Sequence, residues 1–197
     1  MKYIIKSVND YKENELYEFY KIIHKEKRKK IDKYKNIDDK KRSIIGEMIL
    51  KELLSKEDID YNETKFTYNE YGKPFMNNNI YFNISHSDQY IIVAISNKEI
   101  GIDIERIKKT QINVIDQFAS DKEKEYILKS PNDIEERLFQ IYTLKESYLK
   151  MKGTNLNDIS NVEFIINNDN ITCSDNNVNI GLIKDISDYI ISYCEKR

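Results

Sequence analysis

The strongest constraint on the fold is the stretch from residue 80 to residue 105. Three runs of branched and aromatic side chains follow one another there: Ile80–Ile84, Tyr90–Ser96 and Ile100–Glu105. Each has the length and composition of a strand. Asn97 and Lys98 read as a hairpin turn between the last two. The longest apolar run, around Ile91–Ile95, is far too short to cross a bilayer.

The flanks are mostly helical. Lys2–Val8 reads as a strand. From Asp10 a helical pattern sets in, with Leu16, Phe19, Tyr20 and Ile23 on one face. A second helix is expected from near Asp39 to Leu54, striped by Ile45, Met48, Ile49 and Leu53. Lys65–Asn69 is a short strand closed by the turn Tyr71-Gly72-Lys73-Pro74. Beyond the central block come a helix over Ser120–Lys129 and a longer one from Pro131 to Lys152, with Gly153 past its end. Four weak strands close the chain: Val162–Ile166, Ile171–Ser174, Val178–Ile183 and Tyr189–Tyr193.

This order implies an α+β fold of two halves of similar make-up, 1–98 and 99–197. With 5 Gly and 2 Pro in 197 residues, no flexible linker marks the joint, and collagen-like or low-complexity chains are excluded. The 15 Tyr and 7 Phe argue against disorder.

The 32 basic and 34 acidic side chains nearly cancel, so the chain is no bulk polycation and no nucleic-acid partner is expected. Residues 25–42 nevertheless hold 10 Lys/Arg against 4 Asp/Glu, a local +6 against −8 elsewhere. Such a run is either a solvated helix face or a patch for a phosphate-rich ligand. Cys173 and Cys194 stand alone, without a CxxC, as in a reduced intracellular chain. The start, MKYIIKSVNDY, has no secretory apolar region. A cytoplasmic protein without a membrane partner is expected.

Four segments hold side chains capable of chemistry. In Gly101-Ile102-Asp103-Ile104-Glu105, strand alternation sends the isoleucines to one face and Gly101, Asp103 and Glu105 to the other. Carboxylates two residues apart, about 7 Å at the backbone, can converge on one hard cation; the same pattern also describes a half-exposed strand. Phe82-Asn83-Ile84-Ser85-His86-Ser87 brings hydroxyls and an imidazole to a strand end, suited to phosphate oxygens or to capping a turn. A Ser85-His86-Asp103 hydrolase triad is discounted, because no G-x-S-x-G elbow is present. In Leu144-Lys145-Glu146-Ser147-Tyr148-Leu149-Lys150, Glu146 and Lys150 share a helix face, either as a surface pair or as a carboxylate and cation presented together. Glu123 closes a capping box with Ser120, which structure alone explains.

Together, GKP at 72–74, FNISHS at 82–87, IGIDIE at 100–105 and LKESYLK at 144–150 resemble, in order and spacing, the 4′-phosphopantetheinyl transferases of the longer, surfactin-synthetase-activating type. The motifs span about 80 residues of the chain's middle, and the flanks fit in element order. The resemblance implies a pseudo-twofold pair of α/β subdomains, each a small antiparallel sheet packed on helices, in a monomer. It implies transfer of phosphopantetheine from coenzyme A, with Mg2+ (or Mn2+), to a serine of an apo acyl or peptidyl carrier protein, releasing adenosine 3′,5′-bisphosphate. By position, Asp103, Glu105 and Glu146 match metal ligands. Lys150 follows the glutamate by one helical turn. Ser85 and His86 match pyrophosphate contacts, and Lys73 a lysine near the nucleotide phosphates. Lys27, Lys30, Arg42 and Ser43 fall where the 3′-phosphate and adenine are held. Glu146 is the first choice of base and Glu123 the second; Lys150 or His86 would stabilise the leaving phosphate. Tyr142 stands where the family usually has Trp, and Ser147 where it often has Ala. The alternatives are a non-catalytic coenzyme A-binding module and a Mg2+-dependent pyrophosphate phosphodiesterase.

Overall fold

The computed structural model describes residues 1–167 and 169–197. The chain opens with strand β1 (Lys2–Ser7) and helices α1 (Glu13–Ile22), α2 (Lys25–Asp32) and α3 (Ile37–Ser55). A hairpin of β2 (Phe66–Tyr68) and β3 (Pro74–Met76) precedes β4 (Tyr81–Ser87), β5 (Tyr90–Ser96) and β6 (Ile100–Arg106). Then come α4 (Asp121–Leu128), α5 (Ile134–Lys152), the hairpin β7 (Phe164–Asn167) and β8 (Asn170–Cys173), and the long strands β9 (Val178–Ile183) and β10 (Tyr189–Lys196).

The long strands form two antiparallel sheets, β1-β5-β4 and β6-β10-β9. In each, the first strand of the set pairs with the last, and the second-last takes the far edge. A two-stranded hairpin precedes the last two strands both times. The fold is thus α+β, with small antiparallel sheets covered by helices.

Both faces of the sheets are used. Ile91, Val93 and Ile95 of β5 pack with Ile45, Ile49 and Leu53 of α3 in the larger core. Ile92 and Ala94, on the other face, meet Ile100, Ile102 and Ile104 of β6 and Ile191 of β10. This second core joins the two sheets. At roughly 25 cal/mol per Å2 of apolar surface, each fully buried isoleucine contributes about 1.5–3 kcal/mol. The third layer is α5, which lies on the remaining face of β6 and β10.

Three sequence expectations change. Asn97 and Lys98 do not close a hairpin: β5 is already flanked by β1 and β4, so residues 97–99 carry the chain into the second sheet. Pro131 lies in a turn before α5, where Ser130 Oγ donates to Asp133 Oδ2 at 2.6 Å. The basic run is not one surface: it splits between α2 and the start of α3, broken at Asn36, which caps α3 through the Asp38 amide. The strand β3 after the Gly-Lys-Pro turn was not expected, because Pro74 and a three-residue length leave no alternation to read. No helix among the described residues is long and apolar enough to cross a membrane.

Close packing of α5 on β6 requires Gly101. A Cβ there would stand 1.9 Å from the Ser147 carbonyl oxygen and 2.4 Å from the Met151 nitrogen. Neither backbone atom can move without shifting the helix. Gly101→Ala is expected to cost roughly 3 kcal/mol, the upper end for overpacking; chemical denaturation reads it as a lower midpoint at unchanged slope.

Candidate active site

β4 and β6 are edge strands of different sheets, yet they run side by side. Side chains of β4 join them in place of a backbone ladder. Asn83 Oδ1 accepts from the Ile102 amide at 2.8 Å, Ser85 Oγ donates to Asp103 Oδ1 at 2.7 Å, and Ser87 Oγ donates to Glu105 Oε2 at 2.8 Å. Phe82 and Ile84 alternate with these residues and point into the core beneath α3. The same period-two alternation puts Asp103 and Glu105 on the seam.

Asp103 is 1% exposed. Burial pushes its carboxyl above the ordinary range, while the Lys150 ammonium pulls it back. Lys150 Nζ lies 2.5 Å from Asp103 Oδ1, 3.1 Å from Ser85 Oγ and 3.3 Å from Glu146 Oε2. Burial disfavours that ammonium, but Asp103 and then Glu146 outweigh it, so Lys150 stays charged. Glu146 Oε1 accepts from the Tyr142 hydroxyl at 2.5 Å. Tyr142 in turn packs edge-on against Phe118, centroids 5.4 Å apart. Tyr142, Glu146 and Lys150 therefore follow one another, a helical turn apart, along the face of α5 toward the seam. Burial also raises Glu105, against its bond from Ser87.

The donor set around Asp103 is all oxygen, as a hard divalent cation requires. Asp103 Oδ2 is buried and has no hydrogen-bond partner among the described residues. A buried carboxylate oxygen left bare is costly unless something fills the position. Among the described residues, no three acidic, histidine or cysteine groups converge closely enough to hold a metal as they stand. Each candidate ligand has another partner: Lys150 on Asp103, Ser87 on Glu105, Tyr142 on Glu146.

The basic residues lie along the N-terminal side. Lys27 Nζ pairs with Glu47 Oε1 at 3.1 Å, and Lys30 Nζ sits 3.6 Å above the Tyr68 ring. Both line a small cleft with His24, Phe66, Gly72 and Pro74. Glu47 is buried and also accepts from the Tyr61 hydroxyl at 2.6 Å. Arg42 donates to the Asp88 carbonyl at 3.0 Å and to Asp39 at 2.5 Å; its Nε is buried without a partner among the described residues. Ser43 is half-buried beside it on α3. The His86 ring stands exposed at the end of β4. Crowding by surrounding protein, then the Arg42 and Lys150 cations, hold it below the usual histidine range. Two cations thus act on the imidazole.

Two residues stand apart from this arrangement. Glu123 is fully buried, and both its oxygens are engaged: Oε2 with the Ser120 amide and the Lys145 ammonium at 2.7 Å, Oε1 with the Phe164 amide. Lys145 also donates to the Phe118 carbonyl at 2.5 Å. Three protein donors therefore hold this carboxylate, the second choice of base. The Lys73 ammonium, expected near nucleotide phosphates, instead meets the carbonyls of Lys150 and Met151, each at 2.6 Å. Sequence reasoning missed Asn83, Ser87 and the Tyr142 hydroxyl. For the first two the signal was present, since Asn83, Ser85 and Ser87 are polar at every second position of a strand.

Two family models divide the chain. Residues 99–194 match the "4′-phosphopantetheinyl transferase superfamily" model, and residues 10–98 match "4′-phosphopantetheinyl transferase, N-terminal". Among curated proteins, the chain is 42% identical over 135 residues to the 4′-phosphopantetheinyl transferase gsp of Aneurinibacillus migulanus, covering 66% of this chain and 56% of that one. It is 30% identical over 142 residues to the 4′-phosphopantetheinyl transferase Sfp of Bacillus subtilis (strain 168), covering 70% of this chain and 63% of the relative. The match thus spans somewhat over half the length of these relatives. A Thermotoga maritima holo-[acyl-carrier-protein] synthase superposes with a TM-score of 0.43 at 20% identity, over 50% of this chain and 62% of that one. The chain belongs to the 4′-phosphopantetheinyl transferase superfamily, in its surfactin-activating type.

The buried pair beside the site yields a stability test. Lys145→Met leaves Glu123 charged and unpaired at 0% exposure. A loss of about 3–5 kcal/mol is expected, read by chemical denaturation. Adding Glu123→Gln removes the stranded charge and restores part of the loss.

Proposed function

We propose that this protein transfers the 4′-phosphopantetheine group of coenzyme A to a serine hydroxyl of an apo acyl or peptidyl carrier protein, releasing adenosine 3′,5′-bisphosphate. The observation that carries the reading is the seam itself. It holds a buried Asp103 with one bare oxygen, flanked by Glu105, Glu146 and Lys150, in a chain of this family.

Asp103, Glu105 and Glu146 are the residues that would hold Mg2+, or Mn2+ in its place. A bound divalent ion would neutralise charge on the pyrophosphate oxygens. The other work falls to protein groups. Lys27 and Lys30 in the α2 cleft, and Arg42 with Ser43 on α3, would receive the 3′-phosphate and adenine. Ser85 and His86 offer hydrogen bonds to the pyrophosphate. Lys150, once released from Asp103, would offer its ammonium to the leaving phosphate. Glu146 has its Oε1 fixed by Tyr142 and its Oε2 3.3 Å from Lys150, so Oε2 would take the serine proton, directly or through water, once that ammonium turns to the phosphate. In this scheme the half 1–98 binds the nucleotide and the half 99–197 carries the metal ligands and the proton acceptor. The protein works as a cytoplasmic monomer.

The test is to incubate the protein with several apo carrier proteins, coenzyme A and Mg2+, and to weigh each carrier. A gain of one phosphopantetheine is expected, and Asp103→Asn should lower the rate by about 10²-fold or more. Folded protein that modifies no carrier would overturn the proposal. Release of phosphopantetheine to water would point to a phosphodiesterase, and ligand binding indifferent to Asp103→Asn to a non-catalytic module.

A further inference from the structure

Gly72 and Pro74 of the Gly-Lys-Pro turn line the cleft that holds Lys27 and Lys30, but the Lys73 side chain between them is left without a part in this chemistry. Gly72 turns the chain at φ +83°, and Asn69 Oδ1 accepts from the amides of Tyr71 and Lys73. The turn then grips the end of α5. Asn69 Nδ2 donates to the Gly153 carbonyl at 2.7 Å. Lys73 Nζ donates to the carbonyls of Lys150 and Met151 at 2.6 Å and of Ile100 at 3.4 Å.

An ammonium has three N–H donors, and here three carbonyls take them. None is left for a phosphate oxygen. The acceptors are also informative. The Lys150 carbonyl belongs to the residue whose side chain meets Asp103, and Ile100 opens the strand that carries Asp103 three positions on. A cation at a helix C-terminus satisfies orphan carbonyls and favours the negative end of the helix dipole. Gly153 ends α5 in the left-handed region at φ +68°, and a Cβ there would lie 2.8 Å from Lys73 Cδ. The helix end and the lysine are therefore shaped to each other. Among the described residues the ammonium has no carboxylate contact, and burial draws it down to about 8, opposed by the field of Glu99.

We infer that Lys73 is a positioning residue for the transfer: by tying the last carbonyls of α5 to the start of β6, it sets Lys150 and Glu146 against Asp103, and it does not contact the phosphates of coenzyme A. This rests on the function proposed above.

The experiment compares wild type, Lys73→Met and Asn69→Ala. The second variant cuts the same clasp while keeping the lysine. Three quantities are read: kcat and KM for coenzyme A, calorimetric affinity for adenosine 3′,5′-bisphosphate, and amide hydrogen exchange over residues 148–154. Lys73→Met should lower kcat by about tenfold or more, since misplacement of catalytic groups by an ångström costs up to about 10²-fold. KM and nucleotide affinity should stay within about twofold, as for an interaction made without the substrate. Exchange at the end of α5 should quicken, and Asn69→Ala should move kcat and exchange in the same direction. Tenfold weaker nucleotide binding with unchanged exchange would make Lys73 a phosphate ligand and overturn the inference; so would an unchanged kcat. Should Lys73→Met not fold, Asn69→Ala decides by the same readings. If the wild type modifies no carrier, the functional reading fails by itself, and exchange with nucleotide affinity still decides where Lys73 acts.

Discussion

A buried carboxylate must be compensated, and much of this structure follows from how Asp103 is. It sits on an edge strand, covered by a neighbouring edge strand and a helix. Its hydrogen-bond and charge partners come from both: Ser85 on β4 and Lys150 on α5. Neither partner is near it in sequence, so the compensation exists only when both sheets and α5 have assembled. The isoleucine core between the sheets supplies the free energy of that assembly. Asn83, Ser85 and Ser87 then fix the register at which the two edges meet.

Two cations of α5, five residues apart, show how satisfaction separates structure from function. Lys145 is fully enclosed with Glu123, and amides and a carbonyl complete both groups. Such a network holds α4, the β7 backbone and the Phe118 carbonyl to the helix, and it offers nothing to a ligand. Lys150 keeps 20% of its side chain exposed, and its partner Asp103 retains a bare oxygen. An incompletely satisfied site at an accessible seam is poised to accept charge from outside.

The strand pattern of 100–105 was legible as alternation, and the alternation held: isoleucines face the inter-sheet core, and Gly101, Asp103 and Glu105 face the other way. That the second face is covered was not legible, because a covered polar face and a solvated one share one pattern. The Asn97–Lys98 connection failed as a hairpin for a similar reason. Turn chemistry is local, whereas the choice of strand partner depends on which edges are already taken. The contacts of Lys73 were not legible, because a motif lysine near a phosphate site and a lysine on a helix end look alike until the helix end is in place. The basic run kept its charge but divided its duties, with Lys27 held by a buried glutamate and Lys40 and Lys41 on a different helix.

By itself the sequence determined the elements and the chemistry they carry. Period-two and period-3.6 hydrophobicity, the capping box at Ser120 and the glycine after Lys152 are local signals, and local signals survive in one dimension. Only the tertiary structure decided which polar groups share a site. Ser85, Asp103 and Lys150 are separated by 18, 47 and 65 positions along the chain. Contacts at such separations are set by packing, and no pairing rule along the sequence can choose between the helix face that meets Glu123 and the one that meets Asp103.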